Sequence, residues 1–194
     1  MIDGGCLRQM AKDAGQAFTP ATIDAVARHC VGADEEALRY LFYDCKPYAG
    51  TVTLPVSGGR KDLSKMSGKW LDELAARELF AVRLGVLKFR GFKLKRETKV
   101  SAQLTDGDFY PDFEQKGVDM RIGLDIATYS TERLVSRIVL LTLDTDVAPA
   151  LKHARKSGVQ VVIAHIAGAN VPRELKVHSD YLRPINWPPS PPAP

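Results

Sequence analysis

The chain has 194 residues, 45% of them hydrophobic and 26% charged, with a net charge of +4. That is enough apolar material for a substantial core, and no run approaches the length of a membrane span or a signal peptide. Cys6, Cys30 and Cys45 are odd in number and lack metal-type spacing, so they read as reduced core residues of a cytoplasmic protein, not as a disulfide or zinc framework.

Ile2-Asp3-Gly4-Gly5 opens the chain as the end of a buried strand running into a turn. Either that first strand is very short or it continues ahead of Met1. Cys6 to Ala14 reads as helix, ended by Gly15. Thr19-Pro20-Ala21-Thr22 starts a second helix, with Ile23, Val26 and Ala27 on its apolar face and Gly32 closing it. Leu38 to Tyr43 is a second strand, ending at Asp44. A long mobile loop is expected from Lys46 through Gly58-Gly59-Arg60-Lys61. Helical spacing returns in Trp70, Leu71, Leu74, Ala75, Leu79 and Phe80.

Val82 to Phe89 is a strand that continues into Arg90 to Arg96 as an irregular strand or hairpin arm. Gln103 to Glu114, rich in Asp, Gly and Pro, is expected to be loop. Lys116-Gly117-Val118-Asp119 enters a helix with Val118, Ile122, Leu124, Ile126 and Ala127 available for packing. Ile138 to Leu143 is apolar without alternation, the pattern of a strand buried on both faces, and it delivers Asp144 and Asp146 at its carboxyl end. A helix to Lys156, a strand from Val159 to Ile166, a helix from Val171 to Val177 and an extended piece at Tyr181-Leu182 follow. Strands alternating with helices predict a parallel, helix-covered sheet, one α/β domain over residues 1–186. Residues 187–194 form a polyproline-type tail with no core to join.

Four acidic positions fall at element ends that such a sheet brings to one edge: Asp3, Asp119, Asp144 and Asp146. Two carboxylates 4 Å apart repel by about 4 kcal/mol at an effective dielectric near 20, so keeping Asp144 beside Asp146 points to a cation between them. Hard oxygen donors without His or Cys select Mg²⁺ or Mn²⁺, ions that can drive phosphodiester hydrolysis. Helix capping explains one aspartate after Thr142 but not two. Asp125 lies six residues beyond Asp119, off its face, and reads as a structural or supporting partner. Asp44, in Asp-Cys-Lys-Pro, reads as a turn residue.

Asp3-Gly4-Gly5-Cys6-Leu7, Phe42-Tyr43-Asp44, Lys116-Gly117-Val118-Asp119 through Leu124-Asp125, and Leu141-Thr142-Leu143-Asp144-Thr145-Asp146 fall in an order that resembles the NYN domain family. That family is the LabA-like branch of the PIN-like, FLAP-nuclease-related fold. The resemblance implies a metal-dependent ribonuclease, built as a three-layer α/β/α sandwich around a mostly parallel sheet of order 3-2-1-4-5. It carries Asp3, Asp119, Asp144 and Asp146 over as catalytic, metal-holding residues. The family usually shows Ser-Gly-Asp-Ser-Asp-Phe where this chain has Thr142 to Val147. Thr142 and Thr145 keep the hydroxyls behind the carboxylates, whereas Leu143 replaces a glycine and Cys6 stands where Asn is common.

The densest positive stretch is Lys88, Arg90, Lys93, Lys95, Arg96 and Lys99, interleaved with Phe89 and Phe92; Arg60, Lys61, Lys65 and Lys69 form a looser one. With Lys116, the first stretch is the candidate RNA-binding surface, its aromatics either stacking bases or facing the core. A metal-dependent endoribonuclease is the leading expectation. A weakly catalytic RNA- or protein-binding module on the same fold is the alternative. A haloacid-dehalogenase-type phosphatase would want Thr where Ala148 stands. The expected partners are RNA, a second copy of the chain and a protein that takes the proline tail, but no membrane.

Overall fold

The apolar runs become strands of one twisted sheet in the computed structural model, which describes residues 1–64, 68–97 and 103–188. The elements are β1 (Ile2–Asp3), α1 (Gly4–Asp13), α2 (Pro20–His29), β2 (Tyr40–Cys45), β3 (Thr51–Thr53), β4 (Arg60–Asp62), α3 (Lys69–Ala75), β5 (Phe80–Leu94), β6 (Phe109–Lys116), α4 (Val118–Thr131), β7 (Arg137–Leu141), α5 (Ala148–Lys156), β8 (Gln160–Ile166), α6 (Arg173–Val177) and β9 (Tyr181–Ile185). Sheet order is β6-β5-β2-β1-β7-β8-β9, and only β6 runs antiparallel to its neighbour. The expected order 3-2-1-4-5 is therefore β5-β2-β1-β7-β8, extended by β9 at one edge and β6 at the other.

Successive residues of a strand face opposite sides, so a strand apolar throughout needs cover on both. Leu140 packs with Ile122, Ile126, Leu151 and Leu175 of α4, α5 and α6. Its neighbour Leu141 packs with Leu7, Ile23, Val26 and Leu74 of α1, α2 and α3. These two layers make the three-layer α/β/α sandwich. Among the described residues no helix is long and apolar enough to cross a membrane.

Several boundaries differ from expectation. The second strand begins at Tyr40, leaving Leu38 exposed. The Lys46–Lys61 segment is not simply loop: β3 and β4 pair in it as an antiparallel hairpin. The third helix ends at Ala75, and Leu79 then takes a left-handed φ of 65° that hands Phe80 to β5. Leu124 is exposed, since α4 buries the stripe Val118, Ile122, Ile126 and Ser130, and Leu124 lies two residues off it. Residues 109–114 are strand, not loop. Trp187 packs on the core and Pro188 is buried, so the start of the tail has a core to join. Lys65, Lys99 and residues 189–194 lie outside the described residues.

Candidate active site

The chain builds outward from β1 through β2 and β5, then returns to build β7, β8 and β9 on the other side. Loops leaving the carboxyl ends of β1 and β7 diverge at this reversal, the crevice where open α/β sheets bind ligands. Asp3 ends β1, and Asp144 and Asp146 lie in the turn after β7.

Asp3 is buried. Its Oδ1 accepts the Cys6 N–H at 3.1 Å as the cap of α1, and its Oδ2 accepts the Thr142 hydroxyl at 2.9 Å. The Thr142 oxygen in turn accepts the Asp144 N–H at 3.1 Å, and Asp144 Oδ1 accepts the Asp146 N–H at 2.9 Å. One buried hydroxyl thus ties the end of β1 to the turn after β7, using both its donor and its acceptor capacity. Thr145 lies within that turn, half-buried.

Asp119 comes from a third direction. β6 passes straight into α4 through Gly117, whose φ of 78° would strain any side-chain-bearing residue, and Asp119 sits in the first turn of the helix. Asp119 is exposed, yet partial desolvation raises its carboxyl above the usual range, and the charges of Asp144, Asp3 and Asp146 raise it further. The four predicted carboxylates therefore share one electrostatic environment. Among the described residues, however, no three His, Cys, Asp or Glu side chains are gathered closely enough to hold a metal ion as they stand. The donor chemistry suits a hard divalent cation. The side chains do not form a finished cage.

Around this edge, burial first and Asp3 second push the Cys6 thiol up to about 12, so it stays neutral there at neutral pH. Asp125 belongs elsewhere: it accepts the Tyr43 hydroxyl at 2.9 Å and Arg83 Nε at 3.2 Å, joining α4 to β2 and β5. Asp44 is no turn residue. It is a buried strand end paired with Arg8 of α1, and it also accepts the Cys45 N–H at 2.7 Å and Gln115 Nε2 at 3.4 Å. Burial raises its pKa against the pull of Arg8, and Asp3 adds to the rise.

The basic stretch lies on β5, which runs past its last partner on β2 (Gly85 opposite Cys45) and rises from the carboxyl edge as a hairpin with β6. Phe89 packs on Tyr48, Phe92 and Phe113, and Tyr48 on Phe113, with ring centroids 5.3–6.0 Å apart, so those rings are committed to each other. Arg90 and Lys116 both pair with Glu114, and Lys93 pairs with Asp112 at 2.9 Å. Lys95 donates to the Gly107 carbonyl at 2.6 Å, while Lys88 and Arg96 have no carboxylate partner among the described residues.

A family model for the NYN domain matches residues 68–186. The chain belongs to the NYN domain family. The matched stretch contains Asp119, Asp144 and Asp146, while Asp3 lies ahead of it. A crystal structure of a protein of unknown function from Vibrio parahaemolyticus is similar to this NYN domain with a TM-score of 0.51 at 13% identity, covering 95% of this chain and 90% of that one. At that identity the likeness concerns the fold alone. No curated protein matches the chain.

Sequence reasoning missed Arg8, Gln115 and Glu114. Arg8 follows Asp3 by five residues on α1, a spacing that returns it toward the sheet edge only once the helix is known to start at Gly4. Glu114 and Gln115 were hidden by reading β6 as loop.

Proposed function

We propose that this NYN domain is a metal-dependent endoribonuclease, hydrolysing RNA phosphodiester bonds at the carboxyl edge of its sheet with Mg²⁺ or Mn²⁺ as cofactor. The observation that carries this reading is the chain of hydrogen bonds that ties Asp3 through Thr142 to Asp144 and Asp146 at the topological reversal of the sheet, with Asp119 raised by the charge of all three. Such crowding of like charge is costly in a fold that needs only caps there, and a divalent cation offsets it. Asp119, Asp144, Asp146 and Asp3 would hold the ion, which when bound lowers the pKa of water and neutralises charge developing on the phosphoryl oxygens. Thr142 fixes Asp3 relative to Asp144. Lys116, three residues before Asp119 and paired with Glu114, would be the cation to meet the scissile phosphate once it leaves that carboxylate.

Cleavage of single-stranded RNA in Mn²⁺ tests this. Wild type is expected to cut and Asp144→Asn to lose at least a hundred-fold in rate; equal rates would remove the mechanism. Leu143, half-buried beside Cys6 where the family carries a glycine and an asparagine, favours a second reading: an RNA- or protein-binding module that turns over little. Tight Mn²⁺ uptake in calorimetry without cleavage would select it.

A further inference from the structure

The β5–β6 hairpin has two chemically different faces, and one bulge keeps them apart. Residues three apart on a regular strand point to opposite sides, yet Phe89 and Phe92 touch on one side with centroids 5.3 Å apart. The pairing register shifts between Phe89 and Gly91, so Arg90 is the extra residue, and Gly91 takes the φ of 111° that this needs. Opposite residues of an antiparallel pair share a face, so Phe89 and Phe92 lie with Phe113 and Pro111. Lys88 and Lys93 lie on the other face, opposite Glu114 and Tyr110. Tyr110 is 44% exposed beside Lys93 near the far end of that cationic face, whereas Phe89 and Phe92 are half-buried against each other. The hairpin extends nine residues beyond Gly85, about 30 Å, and its β6 strand leads through Lys116 directly to Asp119.

We propose that the cationic face of this hairpin is a track for a single nucleic-acid strand running to the acidic edge, with Tyr110 as the platform on which an unpaired base stacks. Lys88, Lys95 and Arg96 anchor phosphates, and Glu114 holds Arg90 and Lys116 until phosphate replaces it. An exposed ring among alternating cations suits a single strand, whose bases are free to stack; a duplex keeps its bases from the ring. The track rests on the ribonuclease reading only for the identity of the strand as RNA.

The test is fluorescence anisotropy with a labelled 12-nucleotide single-stranded RNA, in EDTA so that nothing is cut, across 50–300 mM KCl. Tyr110→Ala is expected to bind at least five-fold more weakly with an unchanged salt slope, and Tyr110→Phe to bind within two-fold of wild type. The triple variant Lys88→Ala, Lys95→Ala, Arg96→Ala should flatten the slope of log affinity against log salt by about 2, three phosphate contacts at about 0.7 each. Glu114→Gln should bind several-fold more tightly. Neutralising Lys152 and Lys156 on α5 is the control and should change affinity less than two-fold. Melting curves check that each variant is folded. Wild-type affinity in Tyr110→Ala, or equal affinity for a blunt duplex of the same length, overturns the track. RNA cleavage by wild type together with wild-type binding by the Tyr110 and lysine variants would sink the track and spare the ribonuclease reading. Track-dependent binding without cleavage in Mn²⁺ would do the reverse.

Discussion

Gly85 brings β5 into close contact with the entry to the acidic edge, and replacing it with alanine tests both the packing and the edge. A Cβ there would lie 2.6 Å from the Lys116 carbonyl oxygen, 2.9 Å from Val118 Cγ2 and 3.1 Å from Cys45 Sγ. Gly85 has no left-handed φ, so alanine meets no backbone strain and the cost is space alone. Two of the three neighbours cannot swing away: one is backbone and one a buried β-branched side chain. Overpacking of this kind costs about 2–3 kcal/mol. Stiffening the unfolded chain returns only about 0.4–1 kcal/mol. The net loss of about 1–2.6 kcal/mol should lower the melting temperature by about 2–10 °C in a domain of this size. Relief requires the Lys116–Val118 segment to move outward, and Asp119 is the next residue. Gly85→Ala should therefore also shrink the rise in melting temperature that Mn²⁺ gives the wild type. A variant as stable as wild type, or more stable, would refute the close approach of β5 to the entry of α4.

Three further outcomes follow from the charged contacts. Glu35 is held down to about 2, chiefly by Arg183 and also by the Gly32 N–H and Arg137, so its contribution is complete above pH 4.5 and fades as pH falls toward 2. Glu35→Gln should cost on the order of 2 kcal/mol at pH 7 and little at pH 2.5, read from urea melts at each pH. Arg8→Leu leaves the Asp44 carboxylate buried without its cation, which raises its folded pKa further. The loss of stability should then be small near pH 4 and grow as pH rises through that raised pKa, and a loss independent of pH would show the pair to be mere packing. Asp119→Asn removes a carboxylate whose folded pKa lies above its unfolded value, a charge that destabilises once pH exceeds it. Without metal the variant should melt above wild type at pH 7 and level with it near pH 3. With Mn²⁺ the order at pH 7 should reverse.

Much of the sheet was legible because its strands are buried on both sides. Ile138 to Leu141 has no solvent face, and an unbroken apolar run admits few other readings. The same logic located Asp144 and Asp146, since a buried strand can release its polar residues only at its end. β6 was not legible because Asp106-Gly107-Asp108 and Pro111 carry turn signals, which outweigh a short alternation of Phe109, Pro111 and Phe113 with Asp112, Glu114 and Lys116. Its register comes from its partner β5, where Glu114 pairs with Arg90 and Asp112 with Lys93. A regular strand would put Phe89 and Phe92 on different faces, and the Arg90 bulge puts them on one. Leu124, in contrast, could have been excluded by counting: Val118, Ile122 and Ile126 define a stripe at intervals of four, and Leu124 misses it. Asp44 carried the signature of a turn in Asp-Cys-Lys-Pro, but its pairing opposite Leu84 of β5 and the return of Arg8 from α1 keep it inside the sheet.

The most direct measurement is the position of Mn²⁺ by anomalous scattering in crystals soaked with the ion. One or two peaks within about 2.5 Å of carboxylate oxygens drawn from Asp3, Asp119, Asp144 and Asp146 are predicted, all lost in Asp144→Asn. Crystals with Mn²⁺ bound only at other carboxylates, leaving this edge bare at saturating concentration, would contradict the claim that the crowding there exists to hold a cation.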